Sequence, residues 1–215
     1  MNLNFGSRAG VFAALTACAA GSVSAQSPPV ETGFYVGAFG GVASYPSRPK
    51  IILDRFTLES TKTREDDMSW GFTGGYRFSK YWALEAGYVD LGEATAHLVD
   101  SAGSDLRADL RFSARGKTFA TALIIPTWKW ETFIKVGMLF QDVDLRLDGT
   151  QAGAPFTLSS SAKGMEIYWE GGVSYHFDDR WSGRLGATYY PNVGRKNETG
   201  HVNLVSSFLG VSYQF

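Results

Sequence analysis

The sequence predicts an all-β fold, an eight-stranded antiparallel up-and-down barrel that crosses a membrane with its strands. Three observations point there. Apolar residues alternate with period two over eight segments between Gly33 and Phe215, and none of the segments has helical spacing. The connections alternate between very short turns and long polar stretches, the layout of a barrel with short periplasmic turns and long extracellular loops. Within each segment one parity is aromatic and aliphatic, while the other is small and polar.

The composition agrees. The chain has 215 residues, enough for one medium domain with one core. Its 20 Lys and Arg against 21 Asp and Glu leave no basic excess for a nucleic-acid partner. Aromatic residues are 14% and charged residues only 19%, the reverse of a disordered chain. The one cysteine, Cys18, excludes a disulfide framework and a cysteine-based zinc site. After the leader no apolar run is long enough for a membrane-spanning helix.

Residues 1–25 read as a secretory signal peptide. Arg8 supplies the positive start, Ala9–Ala20 the short apolar stretch, and Val23-Ser24-Ala25 the small-residue cleavage site. Leu15-Thr16-Ala17-Cys18 also fits a lipobox, with Cys18 as the lipidated residue. Either reading takes the chain out of the cytoplasm. Residues 26–32 form a lead-in and 33–215 the barrel.

The eight expected strands are Gly33–Ser44, Ser69–Phe78, Trp82–Leu91, Lys117–Pro126, Trp130–Val143, Glu166–Phe177, Trp181–Tyr190 and Leu204–Phe215. A tilted strand of about 9–11 residues crosses the hydrocarbon, so the segments are long enough. Ser79–Tyr81, Thr127–Lys129 and Asp178–Arg180 are the short turns. Tyr45–Met68, Gly92–Gly116, Asp144–Met165 and Pro191–Asn203 are the long loops.

The bulky parity includes Trp70, Leu84, Phe119, Ile134, Trp169 and Leu209, with charges such as Lys117, Asp90 and Asp142 only near strand ends. The other parity includes Gly37, Glu85, Ala120, Lys135, Glu170, Ser174, Arg184 and Gly210. A small barrel has room inside for few side chains. The bulky set therefore faces lipid and the small set the lumen. Tyr76, Phe78, Trp82, Trp130, Phe177 and Trp181 gather beside the short turns as a lipid-interface girdle.

Gly33-Phe-Tyr-Val-Gly-Ala-Phe-Gly-Gly41, Gly74-Gly-Tyr-Arg-Phe78, Trp82-Ala-Leu-Glu-Ala-Gly-Tyr88 and Leu209-Gly-Val-Ser-Tyr-Gln-Phe215 resemble the OmpA-like transmembrane domain. The likeness spans nearly the whole mature chain and includes Pro126 and Arg184-Leu185. It implies an integral protein of a Gram-negative outer membrane, exported through the periplasm. It implies Tyr213 and Phe215 as the signal read by the barrel-assembly machinery. With the sequence stopping at Phe215, the family's periplasmic peptidoglycan-binding domain is expected to be absent. The resemblance also implies a lumen plugged by ion pairs and proposed to gate a small pore. Glu85 and Arg184 match two of its members. Phe39, Ala122 and Ser174 stand where the family has Lys, Lys and Glu, so the alternative partners are expected to be missing. Glu85 and Arg184 should then pair with each other or with Glu170 and Lys135, since unpaired buried charges are costly.

Other chemistry is weaker. His97, His176 and His201 are too dispersed for a metal site, and no metal or cofactor is expected. Ser174 and His176 share a face, but it is the lumen face near the periplasmic end, beyond the reach of the acyl chains a lipid A deacylase would cut. Glu65-Asp66-Asp67 lacks a calcium-loop pattern. Arg48, Lys50, Arg55, Lys62 and Arg64 offer the phosphates of lipopolysaccharide a basic first loop, offset by the acids beside them. Asn197-Glu198-Thr199 fits a glycosylation acceptor and is discounted in a bacterial setting. The expected function is non-enzymatic, an envelope and surface-contact barrel. It would touch outer-membrane lipids, lipopolysaccharide and possible loop ligands, but no nucleic acid. A small pore gated by Glu85–Arg184 is the alternative, and a lipid A-modifying enzyme the third reading.

Overall fold

The computed structural model describes residues 32–44, 51–53, 56–64, 66–100, 107–151, 154–195 and 200–215. The leader, Cys18, Arg48, Lys50, Arg55, Glu65 and Asn197-Glu198-Thr199 lie outside them. The described residues form β1 (Gly33–Ser44), β2 (Ile51–Leu53), β3 (Phe56–Arg64), β4 (Asp66–Ser79), β5 (Trp82–Asp100), β6 (Arg107–Thr127), β7 (Trp130–Gln151), β8 (Ala154–His176), β9 (Trp181–Arg195) and β10 (Gly200–Gln214). Eight of them, β1 and β4 to β10, close one antiparallel ring. β10 pairs back onto β1 from Tyr35↔Gln214 to Ser44↔Val205. Closure removes the free edges that hydrocarbon would leave unsatisfied.

The wall is sorted by lipid. Trp70 is 49% exposed, Leu84 37% and Trp169 54%, all on the outside of the ring. Phe78, Trp82, Trp130, Phe177 and Trp181 stand out beside the turns, and Tyr76 lies half-buried against Phe34 and Phe78. Trp181, Tyr213 and Phe215 form one edge-to-face chain, with ring centroids 5.0 and 5.2 Å apart.

The connections differ from expectation. Most of the four presumed loops is strand. β5 runs on to Asp100 and β6 begins at Arg107, β7 reaches Gln151 and β8 begins at Ala154, and β9 and β10 extend to Arg195 and from Gly200. β2 and β3 form a hairpin inside the first, and β3 takes over from β4 beside the upper part of β5, from Arg64↔Thr95 to Leu58↔Asp100. At 23 residues β8 is about 75 Å long at ~3.3 Å per residue, far more than a bilayer needs. The physical reason is a reversal of polarity. Along upper β6, Ala108, Leu110, Phe112 and Ala114 are buried, while Asp109, Arg111 and Arg115 face solvent. On upper β7, Val143 and Leu147 are buried between Asp142, Asp144 and Asp148. The period stays two, but the apolar parity now points inward because water has replaced lipid outside. Charge on the outer parity makes these stretches read as loops.

Two turns are one residue shorter than expected, Lys80-Tyr81 and Trp128-Lys129, and the third spans residues 177–180. Asp178 organises the third: its Oδ1 accepts from the Trp181 amide at 2.7 Å and the Arg180 amide at 2.8 Å. Those N–H donors, Trp181's first, hold its carboxyl below the ordinary aspartate range.

Ile134→Arg places a charge amid the apolar belt and should cost about 2–4 kcal/mol, against about 0–1 kcal/mol for Trp130→Arg at the interface. Urea-dependent folding into lipid vesicles, followed by tryptophan fluorescence, measures both. Asp178 has a folded pKa below its unfolded one, so its stabilisation is present above the unfolded pKa and fades as pH falls through the folded one. Asp178→Ala should unfold at lower urea than the parent at neutral pH, with the gap closing in acid.

Candidate functional site

The lumen is filled in layers. Nearest the turns, Arg77 on β4 reaches Glu131 on β7 with two contacts, 2.7 and 3.2 Å, a bidentate pair. The Arg77 guanidinium also donates to the Lys80 carbonyl at 2.9 Å, tying the layer to the first turn. His176 Nε2 stands 3.1 Å from Glu131 Oε2 without the alignment of a hydrogen bond. Ser182 and Ser212 close the side at 2.7 Å.

The next layer holds four charges. Lys135 and Glu170 are direct cross-strand neighbours on β7 and β8, with Nζ to Oε1 2.7 Å. Lys135 Nζ is also 2.6 Å from Glu85 Oε2, reaching over β6, where Ala120 and Ala122 leave the space open. Arg184 crosses from β9, and both terminal nitrogens donate to Glu85 Oε1 at 3.2 Å. The Tyr35 hydroxyl donates to the same oxygen at 2.6 Å, and Thr188 donates to Glu170 at 3.3 Å. The guanidinium of Arg184 lies 4.9 Å over the Phe133 ring. Gly75 makes the Tyr35 contact possible, since a Cβ there would sit 2.7 Å from the Tyr35 hydroxyl and as close to its ring. Two carboxylates and two cations make the layer neutral, which offsets much of the cost of burying charge.

Above it the lumen turns apolar. Phe39 packs on Phe208, ring centroids 5.4 Å apart, and Tyr168 on Tyr190 at 5.4 Å. Leu91, Leu139, Val143, Val193, Leu204 and Phe112 continue a buried core into the extension. The space left among the polar layers is small: about 30 Å³ beside Arg77, Glu131, Ser174 and His176, and about 20 Å³ beside Phe39, Lys135 and Arg184. Each is large enough for a water or two.

The sequence matches the family model for the OmpA-like transmembrane domain over residues 29–215. The chain belongs to the OmpA-like transmembrane domain family. Its place is the cell outer membrane, with the short turns periplasmic. No curated protein matches it significantly. Among solved structures, OprG from Pseudomonas aeruginosa shares 13% identity at a TM-score of 0.50, covering 87% of this chain and 99% of its own. Neisserial surface protein A shares 16% identity at 0.49, covering 85% and 97%. Ail of Yersinia pestis shares 12% at 0.48, covering 86% and 100%.

Within this OmpA-like barrel the structure brings Glu85, Lys135, Glu170 and Arg184 into one cluster. Phe39, Ala122 and Ser174 carry no charge, and Glu85 and Arg184 pair with each other, with Lys135 bridging Glu85 to Glu170. Ala122 has no charge, but its cross-strand partner is Lys135. Ser174 has none either, and its partner is Glu131. Both charges sit one strand over, on β7. Sequence reasoning missed Arg77–Glu131, although both residues fall on the lumen parity beside short turns. It also took the lumen for small and polar, overlooking Tyr35, Phe39, Phe133, Leu139, Tyr168, Tyr190 and Phe208 on that parity.

The other candidates stay apart. Among the described residues no three His, Cys, Asp or Glu form a metal-holding group. His97 pairs with Asp109 at 2.5 Å on the outside of the extension. Asp67 of the acidic triplet accepts from the Glu93 amide at 2.6 Å, a link between β4 and β5.

Glu85 is the shared acceptor, so its loss should be the most damaging. Glu85→Gln leaves Arg184 without a carboxylate and should cost about 3–5 kcal/mol. Glu170→Gln should cost less, because Lys135 keeps Glu85. Vesicle folding in urea ranks the two; equal losses would mean the cluster does not act as described.

Proposed function

We propose that this protein is a closed, non-enzymatic barrel whose work is done at its outer surfaces: envelope structure within the membrane and surface contact above it. The observation that supports this is the continuous filling of the lumen, from Arg77–Glu131 through the four-charge layer to the apolar core of the extension. The strand extension adds a rigid, charged platform beyond the lipid, suited to contact rather than passage. Tyr213 and Phe215, packed edge to face on the outer wall, fit the assembly signal expected of them.

A small gated pore is the second reading. It is favoured by the position of Lys135 between two carboxylates, at 2.6 and 2.7 Å, which gives its ammonium an alternative acceptor. An enzyme has less support. Ser174 and His176 face the lumen, and the carboxylate near His176 is already held by Arg77.

In planar lipid bilayers the purified barrel should give no unit conductance steps. Steps in the parent that change in Glu85→Ala or Arg184→Ala would replace this reading with the pore. Lipid A mass spectra should be identical with and without expression; a difference lost in His176→Ala would establish catalysis instead.

A further inference from the structure

Above the lipid belt one seam of the wall comes apart. β8 and β9 pair from His176↔Ser182 up to Trp169↔Tyr189. From there β8 continues along β7 without a register shift, while β9 continues along β10. Among the described residues, β8 over residues 154–168 therefore has a partner strand on one side only. Pro191 explains where the pairing stops. The His176 N–H donates to the Lys129 carbonyl at 2.8 Å, and these two residues continue the β7–β8 register. Even-numbered residues of β8 thus bond to β7, and odd-numbered ones turn their N–H and C=O toward the other side. By the register of Trp169↔Tyr189, the residue due opposite Ile167 is Pro191. That is a hydrogen-bonding position, and proline has no N–H to give. Beyond it Asn192 and Gly194 have φ of 55° and 101°, which turns β9 inward. There the Gly194 N–H donates to Gln141 Oε1 on β7 at 3.0 Å, and Val193 is fully buried.

The edge left behind is long. Thr157, Ser159, Ser161, Lys163, Met165 and Ile167 direct their backbone groups to the open side, over about 33 Å at the usual strand rise. Edge strands are normally blunted by bulges, proline or several lysines. Here one lysine, Lys163, interrupts the row, and it leans to Asp142 on β7, 3.3 Å away. Pro155 stands only at the top. Thr157, Ser159 and Ser161 are exposed and short, so nothing bulky on them shields the backbone beside them. Their neighbours on β7 place this stretch in water, since Lys163 faces Asp142 and Ser161 faces Asp144.

We propose that this edge of β8 takes up an extended polypeptide segment of another protein as an added antiparallel strand. A row of alternating donors and acceptors at strand spacing matches a peptide backbone, and a saccharide or a lipid headgroup has no such repeat. A second copy of this chain does not match it. Inserted in the same membrane, its β8 runs in the same direction, so the two edges cannot pair antiparallel. Toward the lipid the edge carries the exposed Met165 and Ile167, and above them Ser and Thr. An antiparallel guest runs away from the membrane. It therefore brings apolar side chains in its first half, beside Ile167 and Met165, and hydroxyl or β-branched ones in its second. The inference deepens the surface-contact reading and rests on it.

The test gives the refolded barrel, in maltoside micelles, a short labelled peptide that is valine-rich in its first half and threonine-rich in its second. Fluorescence anisotropy reads the binding. Binding should saturate, and the same peptide with proline at every third position should not bind. Ser161→Ala should bind like the parent, because the backbone makes the contact. Ser161→Pro removes an N–H from the open side and spares the β7 ladder. It should weaken binding about tenfold, the worth of one or two backbone hydrogen bonds. Ser159→Pro gives the same reading should Ser161→Pro refold poorly. In amide hydrogen exchange followed by NMR, the peptide should slow the odd-numbered residues between 157 and 167 and leave their even-numbered neighbours as they were. Absence of binding, full affinity in Ser161→Pro, or an equal loss in Ser161→Ala would each overturn the proposal. So would a dimer in sedimentation that Ser161→Pro abolishes, which would give the edge to a second copy. None of these outcomes bears on the closed lumen, which the conductance measurement tests separately.

Discussion

Hydrocarbon offers a backbone amide nothing to bond with, and that constraint organises this protein. Every strand must have a partner on both sides, so the sheet closes through the β1–β10 seam. Closure at eight strands leaves a lumen too narrow to stay open yet too wide to leave empty. Side chains must fill it, and those that reach across it are long and charged. Arg184 spans from β9 to Glu85 on β5, and Arg77 from β4 to Glu131 on β7. Each cation needs a carboxylate in reach, because a lone buried charge would cost several kcal/mol. The ion pairs are thus a consequence of closing a small ring, before any question of transport.

The same logic explains the reversal of polarity along the wall. A strand has two faces, and what the outer one meets changes at the edge of the bilayer. Below it the outer face is Phe119, Thr121 and Leu123; above it, Asp109, Arg111 and Arg115. The inner face switches in the opposite sense, from charged layers to Leu139, Val143 and Leu204. In water the extension can use ordinary apolar burial to hold itself together. Within lipid that driving force is missing between wall and surroundings, and polar pairs inside carry more of the specificity.

Strand positions and the lipid face were legible in the sequence, because lipid tests every second residue and tolerates few exceptions. Trp70, Leu84 and Trp169 are readable one at a time. The extension was hidden because its period is that of a strand while its average composition is that of a loop. The Lys135–Glu170 neighbourhood is a register effect, readable once β7 and β8 are aligned. Arg77–Glu131 and the Phe39–Phe208 contact join strands far apart in sequence, and no local pattern records them.

The charge positions on β7 carry the most general consequence. Ala122 and Ser174 lack the groups that the family resemblance places there, yet Lys135 and Glu131 stand directly across from them. A lumen charge is defined by the point in space it occupies, and two cross-strand neighbours offer nearly the same point. Neutrality of each layer constrains the sum of charges, while the strand that supplies them is free to vary. A lumen filled in this way keeps only a few tens of Å³ open in its polar layers.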